Sequence, residues 1–147
     1  IWIGSSGPFM LKLTAGIEDG WVIPNPTGDE YRQKLETIRR HAGKVGRKGE
    51  QIEAGCYTYA SISAKSEEAW KTAEEQILPE RRRALRPNLS LRDIGEICIV
   101  GDPDDWIGRI EAYVKSGAEH VIVKIVPATS ESIRLYAEKV VPYFRPK

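Results

Sequence analysis

Four short apolar runs, each rich in β-branched or aromatic residues, alternate with amphipathic stretches long enough to be helices, and this alternation constrains the fold more than any other feature. The runs cover residues 1–3, 20–23, 54–62 and 120–126, lengths at which such compositions favour strand over helix. Strands separated by helices need crossover connections, so they run parallel and the helices cover the sheet. The chain is therefore read as an α/β protein of about four parallel strands. No internal repeat, low-complexity stretch or Pro/Ser-rich linker divides it, so residues 1–147 form one domain or part of one.

The helical stretches carry their own punctuation. The first starts at Pro8, is expected to turn Phe9, Met10, Leu13 and Ile17 inward, and ends near Gly16. The second opens on Thr27-x-x-Glu30, readable as a capping box, buries Tyr31, Leu35, Ile38, Ala42 and Val45, and stops at Gly46. A third begins at Ser66 with Glu67 and Glu68 in its first turn, buries Ala69, Trp70, Ala73 and Ile77, and is expected to kink or end at Pro79. Residues 81–91 have neither helical period nor turn composition and are left unassigned. Asp102-Pro103-Asp104-Asp105 is the clearest helix start, with Ile107, Ile110 and Val114 as its inward face and Gly117 as its end. A last helix is capped by Thr129 or Ser130 and is expected to bury Ile133, Ala137, Val140, Val141 and Phe144, with Pro142 near its end.

Composition narrows the partners. Twenty-two Lys and Arg against 21 Asp and Glu give a net charge of +1, so no field steers the whole chain onto nucleic acid or an anionic membrane. No apolar run approaches the length of a membrane span, and no basic-then-apolar leader opens the chain. Cys56 and Cys98 are too few and too far apart for a disulfide framework or zinc knuckle, which makes a reduced, cytoplasmic setting the default expectation. No His, Cys and carboxylate set has metal-ligand spacing, and no metal is expected. The chain starts at Ile1, inside a strand-like run, which reads as upstream sequence being absent.

Five features could carry chemistry. Gly4, Ser5, Ser6, Gly7 and Pro8 join the first strand to the first helix. Such a turn leaves N–H groups free, admits an anion and aims a helix dipole at it, with two serine hydroxyls at hand; it also simply makes a corner. Trp2 and Trp21 flank this turn in the sequence reading. Asn25, between two prolines at the exit of the second strand, either faces a ligand or forms the turn. Cys56, Thr58 and Ala60 share one face of the third strand and Tyr57, Tyr59 and Ser61 the other; the small residues either leave room for a ligand or pack closely. Cys56 has no neighbouring acid or histidine in sequence and is read as buried and inert. Lys124 interrupts an apolar strand, where it meets an anionic group of a ligand, pairs with a carboxylate or snorkels out. Arg81, Arg82, Arg83 and Arg86 read as a solvated helix face, since a nucleic-acid patch would bring interleaved aromatics and a net positive domain.

Taken in order, Gly4-x-x-Gly7-Pro8-x-Met10-Leu11, Asp19-Gly20-Trp21, Gly101-Asp102-Pro103-Asp104-Asp105 and Ser116-Gly117-Ala118-Glu119-His120 resemble the bacterial-luciferase-like flavin and deazaflavin oxidoreductases, above all their methylenetetrahydromethanopterin reductases. Glu18 departs from the small residue usual before Asp-Gly, and residues 81–91 match nothing in the pattern. The resemblance implies a (β/α)8 TIM barrel of which this chain is the C-terminal half, strands five to eight. It implies that Gly4, Ser5, Ser6, Gly7 and Pro8 contact the phosphate-bearing tail of a deazaflavin, coenzyme F420, or alternatively FMN. The family's hydride-face residues come largely from the first four strands, so no catalytic residue is named.

The expected activity is hydride transfer between a deazaflavin and a methylene-pterin or other small organic substrate, with Asn25 and Lys124 as weaker substrate-binding candidates. The alternative within enzymes is an FMN-dependent monooxygenase. The alternative of another class is a non-catalytic phosphate-binding half-barrel that assembles as a dimer. Four parallel strands cannot close a barrel, so the open edges are expected to be covered by a missing N-terminal half or by a second copy in a homo-oligomer, or the strands flatten into a different sheet.

Overall fold

The computed structural model describes residues 1–145, and the chain folds into two compact units. The first comprises residues 1–57 and 112–122, the second residues 58–111 and those from 123 onward. No helix of the described residues is long and apolar enough to cross a membrane.

In the first unit, β1 (Trp2–Gly4) pairs in parallel with β2 (Gly20–Pro24), and β2 pairs in parallel with the first half of β3 (Glu53–Ile62). Glu119, just before β5 (His120–Ile125), donates its N–H to the Ala54 carbonyl and accepts the Ala54 N–H on its carboxylate, locking the entry of β5 onto β3. Two helices cover one face. α1 (Pro8–Ile17) follows β1, and α2 (Gly28–Lys44) is capped by the Thr27 hydroxyl, which accepts the Glu30 N–H. Arg47 donates to the carbonyls of Ala15 and Glu18, a cation placed at the negative end of α1.

Beneath the helices lie Trp21, Ile23, Tyr31, Leu35, Ile38, Ala42, Ala54 and Cys56, all essentially without solvent contact. The α2 stripe is as the spacing predicts, except that Val45 is exposed. The α1 stripe is not. Leu11, Thr14 and Ala15 face the core, whereas Phe9, Leu13 and Ile17 are 75, 37 and 67 % exposed. Two apolar stripes compete on this helix, and the one that carries Leu11 and Ala15 is buried.

The Tyr31 hydroxyl is buried without a hydrogen-bond partner, and burial pushes its ionisation well above that of a free phenol. Deleting an unsatisfied buried hydroxyl removes a desolvation cost and leaves ring packing intact. Tyr31→Phe is expected to raise stability by about 1 kcal/mol, read as a higher midpoint in thermal unfolding.

In the second unit, the end of β3 pairs in parallel with a strand the sequence reading missed, β4 (Ile99–Gly101), while Val126 donates its N–H to the Ala60 carbonyl beside β5. α3 (Ser66–Thr72) buries Ala69 and runs without a break through a π-helical turn (Ala73–Ile77) into α4 (Leu78–Ala84). Pro79 does not end this run. Proline has no N–H and its ring crowds the carbonyl four residues back; the chain answers by widening one turn, with the Leu78 N–H reaching the Ala73 carbonyl. The C-terminal run repeats the device. α7 (Ser130–Leu135), a π turn (Tyr136–Val140) and α8 (Val141–Phe144) are continuous, with the Val141 N–H on the Tyr136 carbonyl and Pro142 just beyond.

The unassigned residues 81–91 resolve into the end of α4, a turn, and the start of α5 (Leu91–Ile97), whose cap Ser90 exchanges hydrogen bonds with Asp93. α6 (Pro103–Lys115) is capped as its sequence predicts: Asp102 accepts from the N–H groups of Asp104 and Asp105, and Asp105 accepts from that of Asp102. Its buried face is one residue off the expectation. Trp106, Ile110 and Tyr113 are inside, Ile107 is half-buried and Val114 is exposed, because the indole N–H of Trp106 reaches the Ser61 carbonyl at 2.9 Å and fixes the helix rotation. The last helical run likewise buries Ser132 and Val140 while Ile133, Ala137 and Phe144 face out and Val141 is half-buried.

Candidate functional site

The turn of residues 4–8 lies at the C-terminal end of β1, and Asn25 lies at the C-terminal end of the parallel, adjacent β2, so both stand on the same edge of the first unit. The turn is held from behind. Ser5 donates its N–H to the Val22 carbonyl, and its own carbonyl accepts the indole N–H of Trp21 at 2.9 Å. The Ser5 hydroxyl is buried against that of Thr14, which in turn donates to the Met10 carbonyl. Ser5 therefore shapes the turn from within, and Ser6 is the serine that faces solvent. Of the two expected flanking tryptophans, Trp21 touches the turn. Trp2 lies at the other end of β1, its indole over Gly20 and Gly55, where a side chain on either glycine would collide with it.

Gly7 caps α1 in extended backbone without a side-chain hydrogen bond, and Pro8 has no N–H to offer. The N–H groups of the first turn thus point outward from a ten-residue helix whose dipole favours an anion there. A Cβ placed on Gly7 would meet nothing within 4 Å, so the space in front of this turn is open. A cation joins it from α2: Lys34 donates to the Ser6 carbonyl at 2.8 Å and lies 3.1 Å from the Glu30 carboxylate. No sequence signal marked Lys34, because Glu30 and Lys34 four apart read as an ordinary surface pair.

Asn25 adopts a left-handed backbone (φ 49°), which Asn tolerates better than most residues, and its N–H donates to the Tyr57 carbonyl. Its Oδ1 is buried and unpaired. Of the two sequence readings of Asn25, the structure shows the turn, and the side-chain acceptor inside it is left unused.

Lys124 belongs to the second unit. Its ammonium donates to the Tyr59 hydroxyl at 3.0 Å and lies 3.5 Å from Glu80, so of the three options open in the sequence it takes carboxylate pairing. The Tyr59 hydroxyl donates to Glu80 at 2.6 Å and accepts from Arg81 at 2.9 Å, while the Arg81 guanidinium lies over the Tyr59 ring at 3.8 Å. Arg81 is thus buried, not part of a solvated face. Its neighbours are also engaged: Arg82 donates to the Leu89 carbonyl and Arg86 to Asp93.

The Tyr59 hydrogen bond, then Lys124 and Arg81, hold the Glu80 carboxyl below its usual range, and the same phenol, then Glu80, hold the Lys124 ammonium above its own. The sign follows. Glu80 contributes stability above the ordinary carboxylate range and loses it as pH falls through its lowered value; Lys124 contributes below the ordinary lysine range and loses it as pH rises through its raised value. Glu80→Gln is expected to flatten the acid limb of unfolding midpoint against pH, leaving the limb between pH 6 and 8 unchanged.

Cys56, Thr58, Ala60 and Ser61 are fully buried and Tyr59 nearly so, which decides the small-residue face of β3 for close packing. Both cysteines are free and buried, and burial pushes the Cys98 thiol up to about 12, so Cys98 is not poised as a thiolate.

Residues 1–120 match the model of the luciferase-like monooxygenase family. The chain belongs to that family. It is 23 % identical to the 5,10-methylenetetrahydromethanopterin reductase of Methanopyrus kandleri, over 98 % of this chain and 50 % of the relative. The structure of a coenzyme F420-dependent tetrahydromethanopterin reductase from Methanopyrus kandleri superposes with a TM-score of 0.77 at 22 % identity, over 98 % of this chain and 50 % of that one. An F420-dependent secondary alcohol dehydrogenase bound to an F420–acetone adduct gives a TM-score of 0.82 at 16 % identity, over 99 % of this chain and 48 % of that one. The FMN-bound oxygenating constituent of 3,6-diketocamphane monooxygenase from Pseudomonas putida gives 0.72 at 15 %, over 99 % and 49 %. The chain spans about half the length of the curated relatives it matches. Its fold is that of half a luciferase-like TIM barrel.

Proposed function

We propose that residues 1–147 are the C-terminal half-barrel of an oxidoreductase that transfers hydride between coenzyme F420 and a methylene-pterin or other small organic substrate. The observation that carries this reading is the uncapped N-terminus of α1 with Lys34 beside it, an anion cradle at the C-terminal end of a barrel strand. Gly4, Ser5, Ser6, Gly7 and Pro8 fit the phosphate-bearing tail: the first-turn N–H groups and Lys34 supply donors, and the open space before Gly7 admits the group. Asn25 offers its unpaired Oδ1 on the same edge, and Lys124 is the substrate-side candidate of the second unit. The deazaflavin supplies the hydride chemistry, and these residues hold and orient it.

The covering partner is proposed to be the complementary N-terminal half. Ile1, Phe9 and Ile17 expose 86, 75 and 67 % of their surface on the first strand and its helix, an apolar edge that a neighbouring strand and helix would bury. FMN is the second reading, favoured by the FMN-bound neighbour, since its phosphate would use the same donors.

Titrating the full-length protein with F420 and with FMN, following Trp21 emission, tests the proposal, because the Trp21 indole is bonded to the turn itself. The expected result is saturable F420 binding that Lys34→Gln weakens about tenfold. Absence of binding by either cofactor overturns the enzyme reading.

A further inference from the structure

In the second unit, the geometry points to an oxyanion site formed by Tyr59, Arg81 and Lys124, in which the Glu80 carboxylate occupies the place of an external phosphate or carboxylate group. This deepens the assignment of Lys124 to the substrate side and rests on it, but not on the turn of residues 4–8.

Three donors converge on one oxygen, Glu80 Oε1: the Tyr59 hydroxyl at 2.6 Å, Arg81 Nη2 at 3.3 Å and Lys124 Nζ at 3.5 Å. Two cations face one carboxylate, so the cluster carries one positive charge in excess. One of the two cations is buried. The Arg81 side chain is 10 % exposed and its Nε is buried without an acceptor, a condition that is costly for a guanidinium and rare in folded proteins.

Glu80 is the solvent-accessible acid of the cluster. Its side chain is 37 % exposed, while the Lys124 side chain is 46 % exposed. The other two are fixed, Tyr59 by burial in β3 and Arg81 by packing over the Tyr59 ring. Rotation of Glu80 toward water would leave a rigid phenol and guanidinium and a reachable ammonium around a vacant oxygen position. A planar carboxylate or a tetrahedral phosphate presents the oxygen that refills it. The position also suits a substrate group: Tyr59 and Lys124 lie on neighbouring strands, and Arg81 comes over them from the helix that follows the π turn. Glu80 then acts as an internal competitor that keeps the cations paired until a stronger anion arrives.

The test uses the full-length protein, with inorganic phosphate and acetate as separate probes and the side-chain resonances of Arg81 and the ring resonances of Tyr59 as readout. Saturable shifts are expected with at least one probe; the tighter of the two identifies a phosphate or a carboxylate head group. Glu80→Ala removes the competitor and is expected to tighten binding about fivefold. Lys124→Gln, which removes the exposed cation and keeps a hydrogen-bonding side chain, is expected to weaken it about fivefold. Gly7→Asp, in the other unit, is expected to leave these shifts intact, which separates this site from the cofactor turn. The proposal is overturned if neither anion moves the Arg81 and Tyr59 signals, or if Lys124→Gln leaves the affinity unchanged.

Discussion

Gly101→Ala is expected to lower stability by about 3 kcal/mol. Gly101 ends β4 with φ at +142°, a backbone conformation that L side chains rarely adopt. A Cβ there would fall on the Asp105 carboxylate and 2.5 Å from the Asp105 Cβ. That carboxylate accepts the Asp102 N–H at 3.1 Å and the Ser66 hydroxyl at 2.7 Å, so the collision also disturbs the cap of α6 and its link to α3. Strain of about 1–3 kcal/mol adds to a cap loss of about 1 kcal/mol, and the unfolding midpoint should drop by roughly 10 °C. Gly108→Ala provides the opposite sign within α6. A Cβ at Gly108 meets nothing within 4 Å, and replacing glycine inside a helix is expected to add about 0.5–1 kcal/mol. If Gly101→Ala unfolds within 2 °C of the wild type, the account of this strand end is wrong.

The contrast between these two glycines also shows what a sequence does and does not reveal. Gly101 was read only as part of a helix start, because Ile99, Val100 and Gly101 form a strand too short to leave a period of its own. Elements with strong local chemistry were legible: the Asp102-Pro103 cap, the Thr27 cap, and the apolar α2 stripe all appear where their residues place them. Elements decided by packing were not. On α1 the larger apolar residues look like the buried face, yet Leu11, Thr14 and Ala15 fill the interface. On α6 one indole hydrogen bond turns the helix by a residue. Pro79 reads as a kink or an end because the local rule counts the lost hydrogen bond and not the π turn that absorbs it.

The candidate sites divide in the same way. The turn of residues 4–8 was legible because a Gly-rich corner between strand and helix has few uses, and Trp21 and Thr14 now show how it is fixed. Lys34, twenty-eight residues from Ser6, was invisible to any local reading. Arg81 looked like one of four solvated arginines, and only the three-dimensional position of Tyr59 separates it from Arg82, Arg83 and Arg86. Long-range polar contacts of this kind leave no spacing in the sequence, since either partner alone is an unremarkable surface residue or strand residue.

Gly7→Asp is expected to stabilise the fold by about 0.5 kcal/mol while weakening binding of F420 at least a hundredfold. The two effects have one cause. Gly7 is the N-cap of α1, extended at φ −79° and ψ 150°, with no side-chain hydrogen bond and open space where a Cβ would go. An aspartate fits that conformation, can accept a first-turn N–H, and places its charge at the favourable end of the helix dipole. The same carboxylate takes the donors that the proposed phosphate would use and sets a like charge about 4 Å from it, a repulsion of several kcal/mol near a protein surface. Gly7→Ala supplies the neutral comparison, with a Cβ in open space and no charge, and should change affinity by less than about fivefold. A variant that merely damaged the structure would lose stability and binding together, so the opposed signs are diagnostic. Equal F420 affinity in Gly7→Asp and wild type, measured alongside a raised unfolding midpoint, would remove the phosphate from this turn and with it the principal support for the deazaflavin assignment.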